Sequence, residues 1–266
     1  MDLQLKGKRA LVTGGSRGIG LACARQLARE GCAVMLAARD SETLKAAAAS
    51  IAEETGAKVL WCVVDTAADA SVKAMARAAA EQLGGGDILV NSAAKVAGQS
   101  APPKLAEITD ALFWEDVNVK VMGYLRCARE VAPLMIAQGW GRIINISGLA
   151  ARQTGSAIGS IRNVGVAALT KNLADELGPH GINATCVHPG LTRTEKTGPL
   201  VNARAAAAGK TPEEIEKGMA SSTLLGRLVT AEEVADLVAF LASPRSVSIN
   251  GDAIACGGGV RGSIHY

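Results

Sequence analysis

Short apolar runs alternate along the chain with longer stretches whose apolar positions recur at helical spacing, the pattern of repeated βαβ units. Strands are predicted over 9–13, 33–37, 59–63, 88–91, 143–147 and 182–188, and a short last one begins at 254–255. Helices are predicted over 18–30, 44–55, 70–83, 111–138, 160–177 and 231–241. In the first helix Ile19, Ala22, Cys23 and Leu27 fall near one face. Pro133 marks a bend or an end inside the fourth helix, because its ring removes a backbone donor and crowds the preceding turn. Gly178 and Pro179 end the fifth helix. Nearly every strand is apolar throughout, so both faces of the sheet are covered and the sheet is parallel. With no dividing linker, the pattern predicts one doubly wound α/β domain over 1–266, a three-layer α/β/α sandwich. The stretch Thr192–Ser222 mixes charge, Ala, Gly and Pro between the sixth strand and the last helix. It is a lid candidate, since ligands bind outside the carboxyl ends of the strands.

Composition narrows the class. Hydrophobic residues make up 48% and charged residues 20%, a balance that argues against disorder. Aromatics are only 3%, so the core is built from Ala, Val, Leu and Ile. The formal charge of +3 comes without a basic tail or stripe and gives no reason to expect a nucleic-acid partner. The N-terminal apolar run is too short for a signal peptide or a membrane span, and later ones are broken by charge or glycine. A cytoplasmic protein with no membrane partner is expected. Cys23, Cys32, Cys62, Cys127, Cys186 and Cys256 are scattered, without a CxxC pair or a close His. They read as buried free thiols in a reducing compartment, with no metal site.

Candidate chemistry begins at Thr13-Gly14-Gly15-Ser16-Arg17-Gly18-Ile19-Gly20, between the first strand and the first helix. Glycines remove Cβ atoms where the chain must turn and meet a pyrophosphate, and the helix N-terminus supplies unpaired N–H groups and positive potential. The spacing resembles the TGxxxGxG fingerprint of the classical branch of the short-chain dehydrogenase/reductase superfamily, and the resemblance runs over almost the whole chain. It implies a Rossmann-type fold and a nicotinamide dinucleotide cofactor. Asp65, beside Thr66, looks like the Asp that holds the adenine. Asn91-Ser92-Ala93-Ala94 matches the family's Asn-Asn-Ala-Gly with two departures. Asn118 looks like the family's helix Asn. Pro189-Gly190, Thr192 and Thr194 resemble the segment against the nicotinamide carboxamide, and Ile249-Asn250-Gly251 with Gly257-Gly258 the C-terminal segment. Asp65 and Pro189-Gly190 also read as ordinary turn formers, and Asn118 as a plain polar helix residue.

The second strand ends Leu36-Ala37-Ala38-Arg39, with no acid to hold a ribose 2′-hydroxyl. Arg39 and Arg17 instead offer two guanidiniums to a phosphate dianion, so NADP(H) is preferred and NAD(H) is the alternative. Asp40 is the counter-evidence, since it can pair with an Arg or repel the phosphate.

Carbonyl reduction by hydride needs a proton donor beside the oxygen. In this superfamily the resemblance implies a Tyr, a Lys four residues later that lowers its pKa, and a Ser about thirteen residues earlier that holds the substrate oxygen. Neither tyrosine of this chain, Tyr124 or Tyr266, lies between Ser147 and Lys171. Counting back from Leu169-Thr170-Lys171, the Tyr position falls on Gly159 and the Lys position on Asn163. In the alternative register they fall on Ile161 and Gly165. The Ser position falls on Gly148 or, with a short deletion, on Ser147. The catalytic candidates are therefore Asn118, Ser147, Arg162 and Asn163. Lys95, Ser160 and His188 are weaker substitutes, with plain readings as a solvated cation, a helix N-cap and a hydrogen-bonded structural residue. The tail offers His265 and Tyr266. Three functions follow. One is an oxidoreductase moving hydride between NADP(H) and a carbonyl or alcohol of a small molecule, with a non-standard site. Another is a dinucleotide-binding regulatory or scaffold protein without such catalysis. The last is an enzyme of this fold whose reaction needs no such acid. The resemblance also implies a homo-oligomer, dimer or tetramer, through helices carrying Val164, Ala167 and Ala168.

Overall fold

The apolar runs become strands and the helically spaced stretches become helices, in this order: β1 (Arg9–Thr13), α1 (Gly18–Arg29), β2 (Ala33–Ala38), α2 (Ser41–Thr55), β3 (Val59–Val63), α3 (Asp69–Ala78), β4 (Ile88–Asn91), α4 (Asp110–Val117), α5 (Gly123–Gln138), β5 (Gly141–Ile146), α6 (Ala157–Leu177), β6 (Ile182–Pro189), β7 (Thr192–Arg193), α7 (Thr197–Ala208), α8 (Pro212–Ala220), β8 (Val229–Thr230), α9 (Ala231–Ala242) and β9 (Ala253–Cys256). The computed structural model describes residues 1–94 and 102–260. One seven-stranded sheet runs in the order β3-β2-β1-β4-β5-β6-β9, and every pairing in it is parallel. The order reverses between β1 and β4, which opens a crevice at the carboxyl ends of these two strands.

Two apolar layers cover the sheet. On one face Cys23 and Leu27 of α1, Leu44 and Ile51 of α2, and Val234 and Val238 of α9 pack on β1, β2 and β5. On the other, Val72 and Met75 of α3, Val131 and Met135 of α5, and Leu173 and Leu177 of α6 do the same. This is the three-layer Rossmann-type sandwich that the pattern predicts. Strand β3 departs from the expectation of covered faces. It is the sheet edge, and Trp61 and Val63 stay exposed.

Several boundaries differ from the prediction. The stretch 111–138 is two helices, and the break lies at a π-turn over Asn118–Met122. Pro133 neither ends nor divides α5, which continues to Gln138. The π-turn is held by side chains: Thr66 donates to the Val119 carbonyl at 3.2 Å, and Arg126 donates to that of Asn118 at 3.2 Å. Carbonyls taken out of the regular ladder thus keep partners, as such a bulge requires. Helix α3 likewise passes into a π-turn over Ala79–Leu83. Helix α6 starts earlier than predicted, because Ser156, not Ser160, is its N-cap and accepts from Gly159 N at 3.1 Å. Ser160 turns its hydroxyl to the Gln153 carbonyl instead. The excursion after β6 carries α7 and α8, and β7 pairs with β8 across its base. No described helix is long and apolar enough to cross a membrane.

Candidate active site

The glycine loop joins β1 to α1 at the crevice. Gly14 has φ of +67°, and a Cβ there would lie 2.8 Å from the Ser92 carbonyl carbon. A Cβ on Gly20 would lie 2.3 Å from the Gly14 oxygen. The loop therefore folds onto itself and onto the β4 end only because both residues are glycine. Thr13 stitches the same junction, its hydroxyl accepting from Ser92 N at 3.2 Å and Ala93 N at 3.4 Å. Arg17, the N-cap of α1, is extended and makes no side-chain cap, and the first turn carries no acid. The first N–H groups of α1 thus have no partner from the N-cap side chain and are open to an anion. One anion of the chain itself is there: Gly18 N donates to the Glu195 carboxylate at 3.2 Å. Thr194 lies beside it, with its methyl 3.6 Å from where a Gly18 Cβ would stand. Ser16 and Ile19 are half-buried in the loop.

Arg17 and Arg39 are both exposed at this end of the sheet. Asp40 is the N-cap of α2, accepting from Thr43 N at 2.8 Å. That bond, a second to the Thr43 hydroxyl and the nearby Arg17 charge hold its carboxyl below the usual range. Asp40 is thus occupied as a cap. Asp65, exposed after β3, accepts from Ala67 N at 3.0 Å and shapes its own turn. Thr66 is buried beneath it and tied to the π-turn. Asn91 is buried at the β4 end, donating to the Asn145 side chain at 2.9 Å, and its own Oδ1 has no partner among the described residues. Across the crevice Pro189 ends β6, and a Cβ on Gly190 would lie 2.8 Å from Gly257 Cα. Thr192 donates to the Gly190 carbonyl at 3.0 Å, and the Thr194 hydroxyl accepts from Lys196 N at 3.4 Å.

The floor beyond the β5 end holds the catalytic candidates. Gly159 and Asn163 lie one turn apart on the buried side of α6, while Ile161 points outward, 54% exposed. Ser147 donates to the Asn163 carbonyl at 3.0 Å and to its Oδ1 at 3.3 Å. Arg162 pairs with Asp116 of α4, and its Nε is buried without a partner among the described residues. Asn118 does not join this group, since its Oδ1 accepts from Arg126 at 2.8 Å. His188 is buried, with its Nδ1 3.4 Å from Gly148 N. Lys95, His265 and Tyr266 lie outside the described residues.

Lys120, absent from the sequence reading, belongs to this floor, and Tyr124 lies beneath it. Lys120, in the π-turn, is only 4% exposed, and its Nζ donates to the Ser147 carbonyl and to Asn163 Oδ1, each at 2.9 Å. Burial, and then the Arg162 charge, bring its pKa down to about 7. The signal was a single charge inside Val117–Met122, otherwise apolar but for Asn118. Tyr124 is wholly buried, donates to the Ile146 carbonyl at 2.9 Å, and has its pKa raised by burial. It is a core residue.

A cavity of about 450 Å³ adjoins the crevice, lined by Leu149, Leu224, Leu225, Val229 and the Gly257–Gly259 backbone. All six cysteines are free, and no group of His, Cys, Asp and Glu among the described residues gathers to hold a metal. A dinucleotide fits these residues. The open α1 terminus already takes a carboxylate, and the loop is shaped by positions where a Cβ would collide.

A family model described as Enoyl-(Acyl carrier protein) reductase matches residues 14–261. The chain is 35% identical over 252 residues to the short-chain reductase protein NovJ of Streptomyces niveus, covering 94% of this chain and 92% of that one. It is 33% identical over 263 residues to the 3-oxoacyl-(acyl-carrier-protein) reductase FabG of Aquifex aeolicus, covering 98% and 100%. Among solved structures it is similar to the L-sorbose reductase from Gluconobacter frateurii complexed with NADPH and L-sorbose. There the TM-score is 0.93 at 31% identity, covering 99% of this chain and 100% of that one.

Proposed function

Since the chain belongs to the short-chain dehydrogenase/reductase family, we propose that it is an oxidoreductase that moves hydride between NADP(H) and a carbonyl or alcohol of a small molecule, at a site without the family's usual Tyr and Lys. The carrying observation is the α1 N-terminus, which is left open by its own cap residue and holds the Glu195 carboxylate. The NADPH named with the L-sorbose reductase supports the same cofactor here.

NADPH, when bound, supplies the hydride. The chain's residues then divide the remaining work. Gly14, Gly18 and Gly20 let the backbone approach the pyrophosphate, and Thr13 fixes Ala93 and the β4 end beside it. Arg17 and Arg39 take the 2′-phosphate. Asp65 and Thr66 border the adenine. Asn91, Pro189, Gly190, Thr192 and Thr194 form the wall toward the nicotinamide. Asn163 supplies a hydrogen-bonding group to the reacting oxygen, Ser147 steadies Asn163 by donating to it, Arg162 adds positive charge behind them, and Asn118 anchors the π-turn. Residues 192–222 act as the lid, and the apolar cavity beside Gly257 takes the body of the substrate. The protein assembles as a homo-oligomer.

Cofactor choice is the direct test. Fluorescence titration is expected to show NADPH binding tighter than NADH, and Arg39→Ala to erase most of the difference. Equal affinities in the wild type would sink the reading. A second reading, a dinucleotide-binding protein without turnover, draws on Tyr124, which is wholly buried with its hydroxyl given to the Ile146 carbonyl. It predicts NADPH binding with no oxidation by any of a broad panel of ketones and keto thioesters.

A further inference from the structure

Lys120 is a buried cation whose own hydrogen bonds go to neutral acceptors, the Ser147 carbonyl and Asn163 Oδ1. Asp116, the acid near it, is taken by Arg162. A charge so poorly compensated in a core disfavours folding, and it sits where open parallel sheets bind ligands, beyond the β5 carboxyl end. What it does there follows from hydrogen-bond chemistry. An ammonium only donates, so the Asn163 amide must face it with oxygen. The Ser147 hydroxyl holds the same oxygen at 3.3 Å. The amide nitrogen is therefore turned away from both, toward Gly148, and a Cβ on Gly148 would lie 3.2 Å from it. Position 148 carries no side chain, and Nδ2 donates to no other described residue.

We propose that Lys120 is a positioning residue whose ammonium holds the Asn163 amide so that its Nδ2–H lies over Gly148 and donates a hydrogen bond to the oxygen of a bound carbonyl substrate. The inference rests on the reading of this crevice as a carbonyl-binding site beside NADP(H). Several groups act on Lys120: Arg162 and Asn163 from α6, Asp116 from α4 and Cys186 from β6, while Tyr124 of α5 is bonded to the Ile146 carbonyl and His188 of β6 lies beside Gly148 N. Burial and Arg162 disfavour the ammonium, whereas Asp116 and Cys186 favour it, which leaves it near pH 7. The donor is an amide held by a cation, so the bond polarises the carbonyl without transferring a proton.

The experiment uses the full-length protein labelled with [13Cε]lysine. One Cε resonance, lost in Lys120→Met, is expected to titrate near pH 7. In Asn163→Asp a carboxylate replaces the amide oxygen, and that midpoint is expected to rise by about one unit or more. An unmoved midpoint overturns the Lys120–Asn163 contact, whether or not any cofactor binds. The second readout is the complex with NADP⁺ and acetoacetyl-N-acetylcysteamine carrying 13C at its keto carbon, which cannot turn over. The keto resonance is expected to move downfield in the wild type, to lose that shift in Asn163→Asp, and to lose much of it in Lys120→Met. With NADPH, both variants are expected to reduce this thioester about tenfold or more slowly in kcat, with KM little changed. Retained NADP⁺ binding shows that both variants are folded. No downfield shift in the wild type, or an equal shift in all three proteins, overturns the proposed role. Failure of the wild type to bind NADP⁺ at all overturns the reading of the crevice instead, and the lysine titration still judges the contact.

Discussion

Glu195 stands where an anionic ligand would meet α1, accepting from Gly18 N at 3.2 Å. A carboxylate and a phosphate want the same donors, so the side chain and the cofactor compete. Glu195→Gln removes the like charge while keeping the length. It is expected to tighten NADPH binding about threefold, since such terminal interactions are worth roughly 0.3–1 kcal/mol at low salt. Fluorescence titration at low and high salt checks this, and weaker binding would show that Glu195 assists the cofactor. The cysteines offer no comparable chemistry. Burial pushes Cys23, Cys32 and Cys127 each up to about 12, which keeps them as inert thiols.

Helix termini divide into open and closed ones. Helix α1 lacks a side-chain cap from Arg17, and its Gly18 N donates to the distant Glu195. Helix α9 is closed by its own residues: Thr230 accepts from Glu233 N at 3.2 Å, and Glu233 accepts from Thr230 N at 2.9 Å, a reciprocal capping box. Arg227, then the Thr230 amide, hold the Glu233 carboxyl down to about 2. The folded value lies below the unfolded one, so the contribution is complete above the unfolded pKa of about 4.3 and is lost as pH falls toward 2. Glu233→Gln is expected to flatten the fall in thermal midpoint between those limits, measured by circular dichroism. An unchanged acid slope would mean that Glu233 is free in solution. Because Glu233 also lines the apolar cavity, α9 fixes one wall of it as well as the sheet beneath.

At the scale of the molecule, α6 serves two surfaces. Its inner side carries Asn163, Arg162 and Gly159 to the site, while Ile161 and Val164 on its outer side are 54% and 50% exposed. Helix α4, which packs on α6, exposes Leu112 and, at 60%, Trp114. Large side chains of this kind left in water on neighbouring helices fit burial against a second copy of the chain. Ala168 is exposed and Ala167 half-buried, so the small residues of α6 do not all face the sheet. Trp114→Glu is expected to shift the protein toward monomer in sedimentation velocity at micromolar concentration. A wild type already monomeric there would rule the assembly out. Since Asp116 on α4 also holds Arg162, loss of the interface is expected to lower turnover as well.

The sequence by itself determined what depends on local pattern. Alternating apolar runs and helical spacings specify a parallel sheet covered on both faces, and the glycines of 14–20 specify a close backbone turn, because each follows from residues near one another in the chain. The proposal that the family's Tyr and Lys are replaced is equally local, resting on Gly159 and Asn163 or, in the other register, on Ile161 and Gly165. Tertiary structure decided what depends on meetings between distant segments. The π-turn over Asn118–Met122 forms because Thr66 and Arg126 satisfy carbonyls that the regular helix would have used, and no period in Val117–Met122 announces that. The same turn carries Lys120 inward to Asn163, 43 residues later, whereas a lone Lys in a sequence reads as solvated. Helix α6 began at Ser156 because that hydroxyl reaches the free N–H of Gly159, and Ser160 was left to bond Gln153. Glu195 reaches Gly18 across 177 residues of chain. Composition fixes how much can be buried, but which charge is brought to face which dipole is set by packing at a distance.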